Sequence, residues 1–240
     1  KEGDLVVLTE MEHHSNLVPW HMLAAEKGIR LEFVHVSDNG ELDQDSYASL
    51  LEQHPKLVSF THVSNVLGTI NPVKEMTAQA HAAGATVLVD GAQSAPHLQV
   101  NVQDLGVDLF AFSAHKMLGP TGIGILWGRE AVLEAMPPFL GGGDMIKRVY
   151  LRSFTPNELP YKFEAGTSSI AEAIGLGAAI DYLNTVGMDA VAAVEHDLVT
   201  YAMERLATVH GLKILGPQAG IRGGVTAFTL EGVHPHDVAQ

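Results

Sequence analysis

The 240-residue chain contains no cysteine. That excludes disulfides, thiolate metal ligands and a thiol nucleophile within it. It is also short of positive charge, with 14 Lys and Arg against 28 Asp and Glu and a net charge of −14. Binding to nucleic-acid phosphates requires a basic stripe, and none is present, so a nucleic-acid partner is excluded as a function class. No apolar run reaches the roughly 18 residues of a membrane span, and residues 1–20 lack the basic-then-apolar pattern of a leader. What remains is the composition of a globular protein, 46% hydrophobic and 18% charged, long enough for one large domain or one domain and part of another. The chain enters a strand almost at once ("KEGDLVVLTE") without an initiating Met. It stops at "EGVHPHDVAQ", where His234-Pro235 and an Asp read as a helix start with no helix after it. The expectation is an internal piece of a longer protein.

Short apolar runs alternate with helical patterns. Residues 5–8, 31–36, 57–63, 86–90 and 108–113 read as strands, near-continuously apolar as strands covered on both faces should be. Helical patterns occupy 16–28, 43–53 and 72–84, with Gly28 and Gly84 as C-terminal stops and Pro72 in a first turn. Such alternation predicts an α/β domain with a mostly parallel sheet. A further strand is expected at 122–128 and a helix at 129–136, followed by an irregular glycine- and proline-bearing segment over 137–168. Two long helices, 169–186 and 188–209, then lead to strands near 212–216 and 224–230. The second, smaller domain is expected to begin at residue 187.

Ligands of open α/β sheets bind outside the carboxyl ends of the strands. Here those ends carry "TEMEHHSN", "SNVLGT", "DGAQ" and "SAHK". Taken singly, each group has a bland reading: Asp90 as a helix cap, Asn65 as a turn residue, His13 as a loop residue, Lys116 as a solvated cation. Together they predict one pocket. A lysine and a carboxylate at the ends of neighbouring apolar strands suit pyridoxal 5'-phosphate, which needs an amine for its aldehyde and an acid beside its pyridine nitrogen. Asp90 and Lys116 meet that demand, and Ser113 and His115 can donate to the phosphate. The histidines do not suggest a metal: "EHHSN" lacks the i, i+4 spacing of a helical zinc site, and "HPH" at 234–236 is as easily a helix start. "GPTGIG" (119–124) matches neither the dinucleotide fingerprint nor the P-loop.

Six segments, "TEMEHHSNLVPW", "THVSNVLGTINPV", "VLVDGAQSAPH", "DLFAFSAHKMLGPTGIGILWG", "MPPFLGGGDMI" and "KFEAGTSS", closely resemble the cysteine desulfurases of the class V aminotransferase group. The nearest branch is the sulfur-mobilising SufS-like one, which includes selenocysteine lyases. The resemblance runs over essentially the whole chain. It implies the large domain of the fold type I pyridoxal-phosphate enzymes (residues 1–186, without its N-terminal part) and the start of a small α+β domain (187–240). The implied activity converts L-cysteine, or L-selenocysteine, to L-alanine and passes the sulfur to an enzyme cysteine outside this chain, supplying iron–sulfur cluster assembly. Lys116 would bind the cofactor covalently and move protons, Asp90 would pair with its ring nitrogen, and Gln93 would donate to its phenolic oxygen. His13 would stack on the ring, with His14 pointing away. Asn65 would contact the ring oxygen or the substrate carboxylate, and Ser113 and His115 the phosphate. Gly166 and Thr167 would reach a partner's phosphate across a homodimer. A cytoplasmic location and a sulfur-acceptor protein are implied as well, with no membrane partner. Kynureninase-like, aminotransferase and epimerase chemistries share this cofactor set, and a non-catalytic scaffold of the same fold is the alternative of another class.

Overall fold

Five-residue apolar runs separated by helices form the centre of the molecule. The computed structural model describes residues 1–239. Strands β1 (Leu5–Thr9), β2 (Arg30–Val34), β3 (Leu57–Thr61), β4 (Thr86–Asp90), β5 (Leu109–Ser113) and β6 (Gly124–Gly128) make one sheet in the order β2-β1-β3-β4-β5-β6. The first five are parallel, and β6 runs antiparallel to β5. The mostly parallel sheet expected from the alternation is therefore present. The second and third strands stop two residues short of the predicted ends. Beyond them Val36 and Val63 remain extended but pair locally, with Leu42 and Ile70, instead of continuing the ladder.

Parallel neighbours need crossovers, and helices α1 (Val18–Lys27), α2 (Gln44–Leu51), α3 (Val73–Ala82) and α4 (Val102–Leu105) provide four of them. α1 carries Pro19 in its first turn and ends where Gly28 adopts a left-handed φ of 66°. α2 starts at Asp43, whose Oδ1 accepts from the amides of Asp45 and Ser46. Pro72 takes the capping position of α3, one residue earlier than the first-turn place read from the sequence. α4, a single turn, was not anticipated.

Because side chains alternate across a strand, the sheet has two apolar faces. On one, Val7, Val58, Phe60, Val87, Val89 and Phe110 pack against α2 and α3. Each such fully buried side chain contributes about 1.5–3 kcal/mol. On the other, Val6, Leu8, Leu31 and Phe33 pack against Trp20, Leu23 and Ala24 of α1. That second cover stops short of β4 and β5. Val87 and Val89 are buried while Leu88 and Asp90, on the opposite face, stay half-open. Coverage on both faces, expected for every strand, holds for β1 and fails for β4. The uncovered stretch is where the polar residues gather.

After α5 (Glu130–Ala135), residues 137–168 are not wholly irregular. They hold an antiparallel pair, β7 (Ile146–Val149) and β8 (Phe154–Pro156), and one 3-10 turn at Tyr161–Phe163. Lys162 of that turn is buried, and its ammonium donates to the carbonyls of Leu133 and Glu134 at the end of α5. Helices α6 (Ile170–Val186) and α7 (Met188–Leu206) meet at Gly187 and lead to an antiparallel pair, β9 (Leu212–Leu215) and β10 (Ala227–Leu230). The buried Arg222 guanidinium donates to the carbonyls of Leu215 (2.6 Å), Pro217 (2.7 Å) and Val225 (3.2 Å), tying the connection between them. His234-Pro235 does open a helical turn, α8 (Pro235–Val238), contrary to the expectation that no helix follows.

Candidate active site

A cleft of about 490 Å³ lies over the uncovered face of β4 and β5. Leu88 and Asp90 of β4 lie on this face beside Ala111 and Ser113 of β5, because Asp90 is in register with Ala111 and residues two apart share a face. The turn after β5 adds His115 and Lys116, and the segment after β1 adds His13, Ser15 and Asn16. Three of the four strand ends therefore deliver their polar groups to one place.

The local sequence explains each placement. Gly91 follows Asp90 because the chain crosses directly over Phe110 there: a Cβ on Gly91 would lie 2.0 Å from the Phe110 ring. Asp90 then faces the cleft, its Oδ1 accepting from the amide of Ala92 at 2.9 Å. Its Oδ2 makes no hydrogen bond or ion pair among the described residues. Past Ser113 the chain makes one 3-10 turn, Ala114–Lys116, pinned by the amides of Met117 and Gly119 to the Ala114 carbonyl. Ala114 and Met117 are buried, which leaves His115 exposed and Lys116 half-buried at the mouth. Lys116 Nζ likewise has no protein partner among the described residues.

His13 caps a second 3-10 turn, His14–Asn16. Its Nδ1 accepts from the Ser15 amide at 3.2 Å and lies 2.8 Å from Ser15 Oγ, which places the ring proton on Nε2. The His14 ring is 5.6 Å from that of His13 at 38°. His14 itself belongs to the turn and does not line the cleft.

Behind this turn lies an acid that sequence reading missed. Glu12 is buried, and burial, reinforced by the nearby Asp90 charge and opposed by three hydrogen bonds, pushes its carboxyl up to about 7. His62, just past β3, is buried with an unpartnered Nδ1, and burial pushes it down to about 4. Asn16 and Ser15 also line the cleft without having been singled out. The nearest signal was their position within three residues of His13.

The remaining predicted residues lie elsewhere. Gln93, one residue beyond Ala92, faces a separate cavity of about 310 Å³ shared with Val63, His97, Glu195 and Gly224. There His97 Nδ1 lies 2.6 Å from a Glu195 carboxylate oxygen. Asn65 is half-buried in the turn after β3 and does not line the cleft. Thr167 is exposed, and its neighbour Gly166 lines a third cavity of about 460 Å³ with Tyr161 and Ser168. This chain by itself therefore brings together His13, Asp90, Ser113, His115 and Lys116, and does not bring Gln93, Asn65 or Thr167 to them.

The chain is 52% identical to a probable cysteine desulfurase of Streptomyces coelicolor over 98% of its own length and 56% of that protein's. It superposes with a TM-score of 0.94 and 42% identity on the apo structure of a cysteine desulfurase from Thermococcus onnurineus NA1, covering all of this chain and 60% of that one. A variant of C-DES with glycine covalently linked to its PLP cofactor superposes at 0.88 with 26% identity, over 99% of this chain and 64% of that one. The chain thus spans a little over half the length of the curated relatives it matches. The aminotransferase class-V model matches residues 1–240 throughout, and the chain belongs to that family.

Proposed function

We propose that this chain is the cofactor-binding part of a pyridoxal-phosphate enzyme that converts L-cysteine to L-alanine. Its sulfur passes to a thiol outside these 240 residues, since the chain has none. The observation that carries the reading is the cleft itself. A lysine amine and a carboxylate oxygen, both without a protein partner among the described residues, open onto one uncovered sheet face. The donor set suits the cofactor: an amine for its aldehyde, an acid for its ring nitrogen, a hydroxyl and an imidazole for its phosphate. Relatives named cysteine desulfurase, and a PLP-bound structural neighbour, support the same reading.

When bound, the cofactor supplies an electron-withdrawing ring that stabilises negative charge at the substrate α-carbon. Asp90 would hold a proton at the ring nitrogen, with Oδ1 engaged by the Ala92 amide and Oδ2 left available. Lys116 Nζ would hold the cofactor's aldehyde and would be the group that carries the α-proton. His13 offers its ring face to the cofactor, with Nδ1 committed to Ser15 and Nε2 free to donate. Ser113 and His115 would hold the phosphate. Gln93 for the phenolic oxygen and Asn65 for the ring oxygen or substrate carboxylate complete the set by resemblance, as do Gly166 and Thr167 across a homodimer. On the same basis residues 1–186 form the large domain and 187–240 the start of the small one. The enzyme acts in the cytoplasm in the SufS-like manner, handing sulfur to an acceptor protein for iron–sulfur cluster assembly.

The test is covalent. Purified protein mixed with pyridoxal phosphate should develop a visible absorbance band, and borohydride should then fix the cofactor to Lys116. Labelling at Lys74 or Lys162 would refute the assignment. Both of those amines are already engaged, Lys74 by Asp104 at 2.6 Å and Lys162 by two carbonyls. Turnover of selenocysteine in preference to cysteine would move the protein to the lyase branch.

A further inference from the structure

Glu12 has no task in the reading above, yet its surroundings are built with care. Its Oε1 accepts from Thr9 Oγ1 at 2.5 Å and from the Thr61 amide at 3.0 Å, and its Oε2 accepts from Asn16 Nδ2 at 2.6 Å. The Asn16 amide can point only one way. Its Oδ1 accepts from Trp20 Nε1 at 3.0 Å and from Ser59 Oγ at 2.8 Å, and an indole N–H is a donor only. Nδ2 must therefore face Glu12, and the Thr61 amide is a donor only as well. Both oxygens of Glu12 are obliged to accept, and no cation pairs with it among the described residues.

These contacts join three pieces of the cleft. Thr9 ends β1, and Thr61 ends β3 in register with Asp90 on β4. Asn16 ends the turn that His13 caps, and it lines the cleft itself. We propose that Glu12 is a positioning residue for the cofactor pocket, setting the spacing between the His13 turn and the β3–β4 edge that presents Asp90. The inference rests on the cofactor reading and goes beyond it by assigning a residue that touches neither ring nor substrate. The raised carboxyl of Glu12 fits this place: burial opposes the charge that three donors favour.

The informative variant is Glu12→Gln, close to isosteric but unable to accept at both ends. If its oxygen faces Thr61, its amide N–H groups meet Asn16 Nδ2. If Asn16 flips in response, that N–H clash moves to Trp20. In the cofactor-loaded protein, Glu12→Gln should keep its circular dichroism and shift the Trp20 indole N–H resonance. It should weaken cofactor binding at 25 °C about tenfold, as leaving one buried donor unsatisfied does. A purely structural role would lower the melting temperature and leave that affinity unchanged. Asn16→Ala, which leaves Glu12 bonded to Thr9 and Thr61, should weaken binding similarly and carries the test if Glu12→Gln fails to fold. The double variant should be no weaker than the worse single one, because the two act as one relay. Affinity within about twofold of wild type in the folded single variants, or additive losses in the double variant, would overturn the proposal. Absence of any cofactor at Lys116 in the wild-type protein would instead fail the cofactor reading itself, and this inference with it.

Discussion

Glu12 and His62 are buried titratable groups shifted in opposite senses, and replacing each in turn should expose slopes that cancel in the native protein. The Glu12 carboxyl is pushed from its ordinary 4.5 up to about 7. Below pH 4.5 it is protonated in both states. Between 4.5 and 7 the unfolded chain releases the proton and the folded protein does not, so stability falls as pH rises. At about 1.4 kcal/mol per tenfold the loss is about 3 kcal/mol, complete above pH 7. His62 is pushed from 6.5 down to about 4. Above pH 6.5 it is neutral in both states. As pH falls toward 4 the unfolded chain takes up a proton that the folded protein refuses, and stability falls by a similar amount. Over pH 4.5–6.5 the two contributions offset, and the wild-type curve should be nearly flat on their account. His62→Gln leaves only the Glu12 slope and should gain about 3 kcal/mol from pH 7 down to 4.5, while Glu12→Gln should lose about that much from pH 6.5 down to 4. Urea unfolding at half-unit pH steps, with the denaturant slope unchanged among variants, reads the difference directly. Curves parallel to wild type for either variant would show that the group is not buried in a single ionisation state, and the reasoning would fail for that residue.

In a longer protein that also carries the thiol, Asp90→Asn should keep the bond to the Ala92 amide and cofactor uptake, yet lower turnover about a hundredfold or more, since a neutral amide cannot hold a proton on the ring nitrogen. Turnover near wild type at full cofactor occupancy would place that carboxylate elsewhere. His13→Ala should loosen the cofactor by about 1 kcal/mol, as loss of a stacked ring does, and His13→Phe should restore it. Equal dissociation constants for wild type and His13→Ala would make the residue an ordinary loop histidine. The 240-residue chain supplied with cofactor should release no sulfide from L-cysteine by a persulfide route, because that route needs a thiolate and the chain has no cysteine. Sustained turnover blocked by a thiol reagent, in a preparation freed of other enzymes, would contradict this.

The parts of the molecule that could be read in advance are those whose signal is local. "LVVL" and "TVLVD" are strands because consecutive β-branched and apolar residues fit a pleated, buried ladder, and they pair as expected. The parallel arrangement followed from helices between strands, which two-residue turns cannot replace. Lys116, Asp90, Ser113, His115 and His13 could be found as polar residues at strand ends, and the sheet gathers them. The β7–β8 pair escaped detection because its residues are largely exposed and show no alternation of apolar with polar. α4 escaped because four residues are too few to set a helical period.

The sequence by itself therefore determined the order of elements, the direction of the main strands and the chemical types at their carboxyl ends, since each depends on neighbours a few positions away. Only the tertiary structure decided which groups share a surface. Gln93 and Ala92 are adjacent in the chain yet face different cavities, because the turn after Gly91 rotates successive side chains apart. Glu12 reads in "EMEHH" as one more surface acid. It becomes a buried acceptor because Thr61, 49 residues further on, closes over it, and because Ser59, 43 residues beyond Asn16, fixes that amide. A carboxyl's charge state follows from what removes its water and what donates to it. In this protein both come from strands and turns far along the chain, so no window of the sequence contains them.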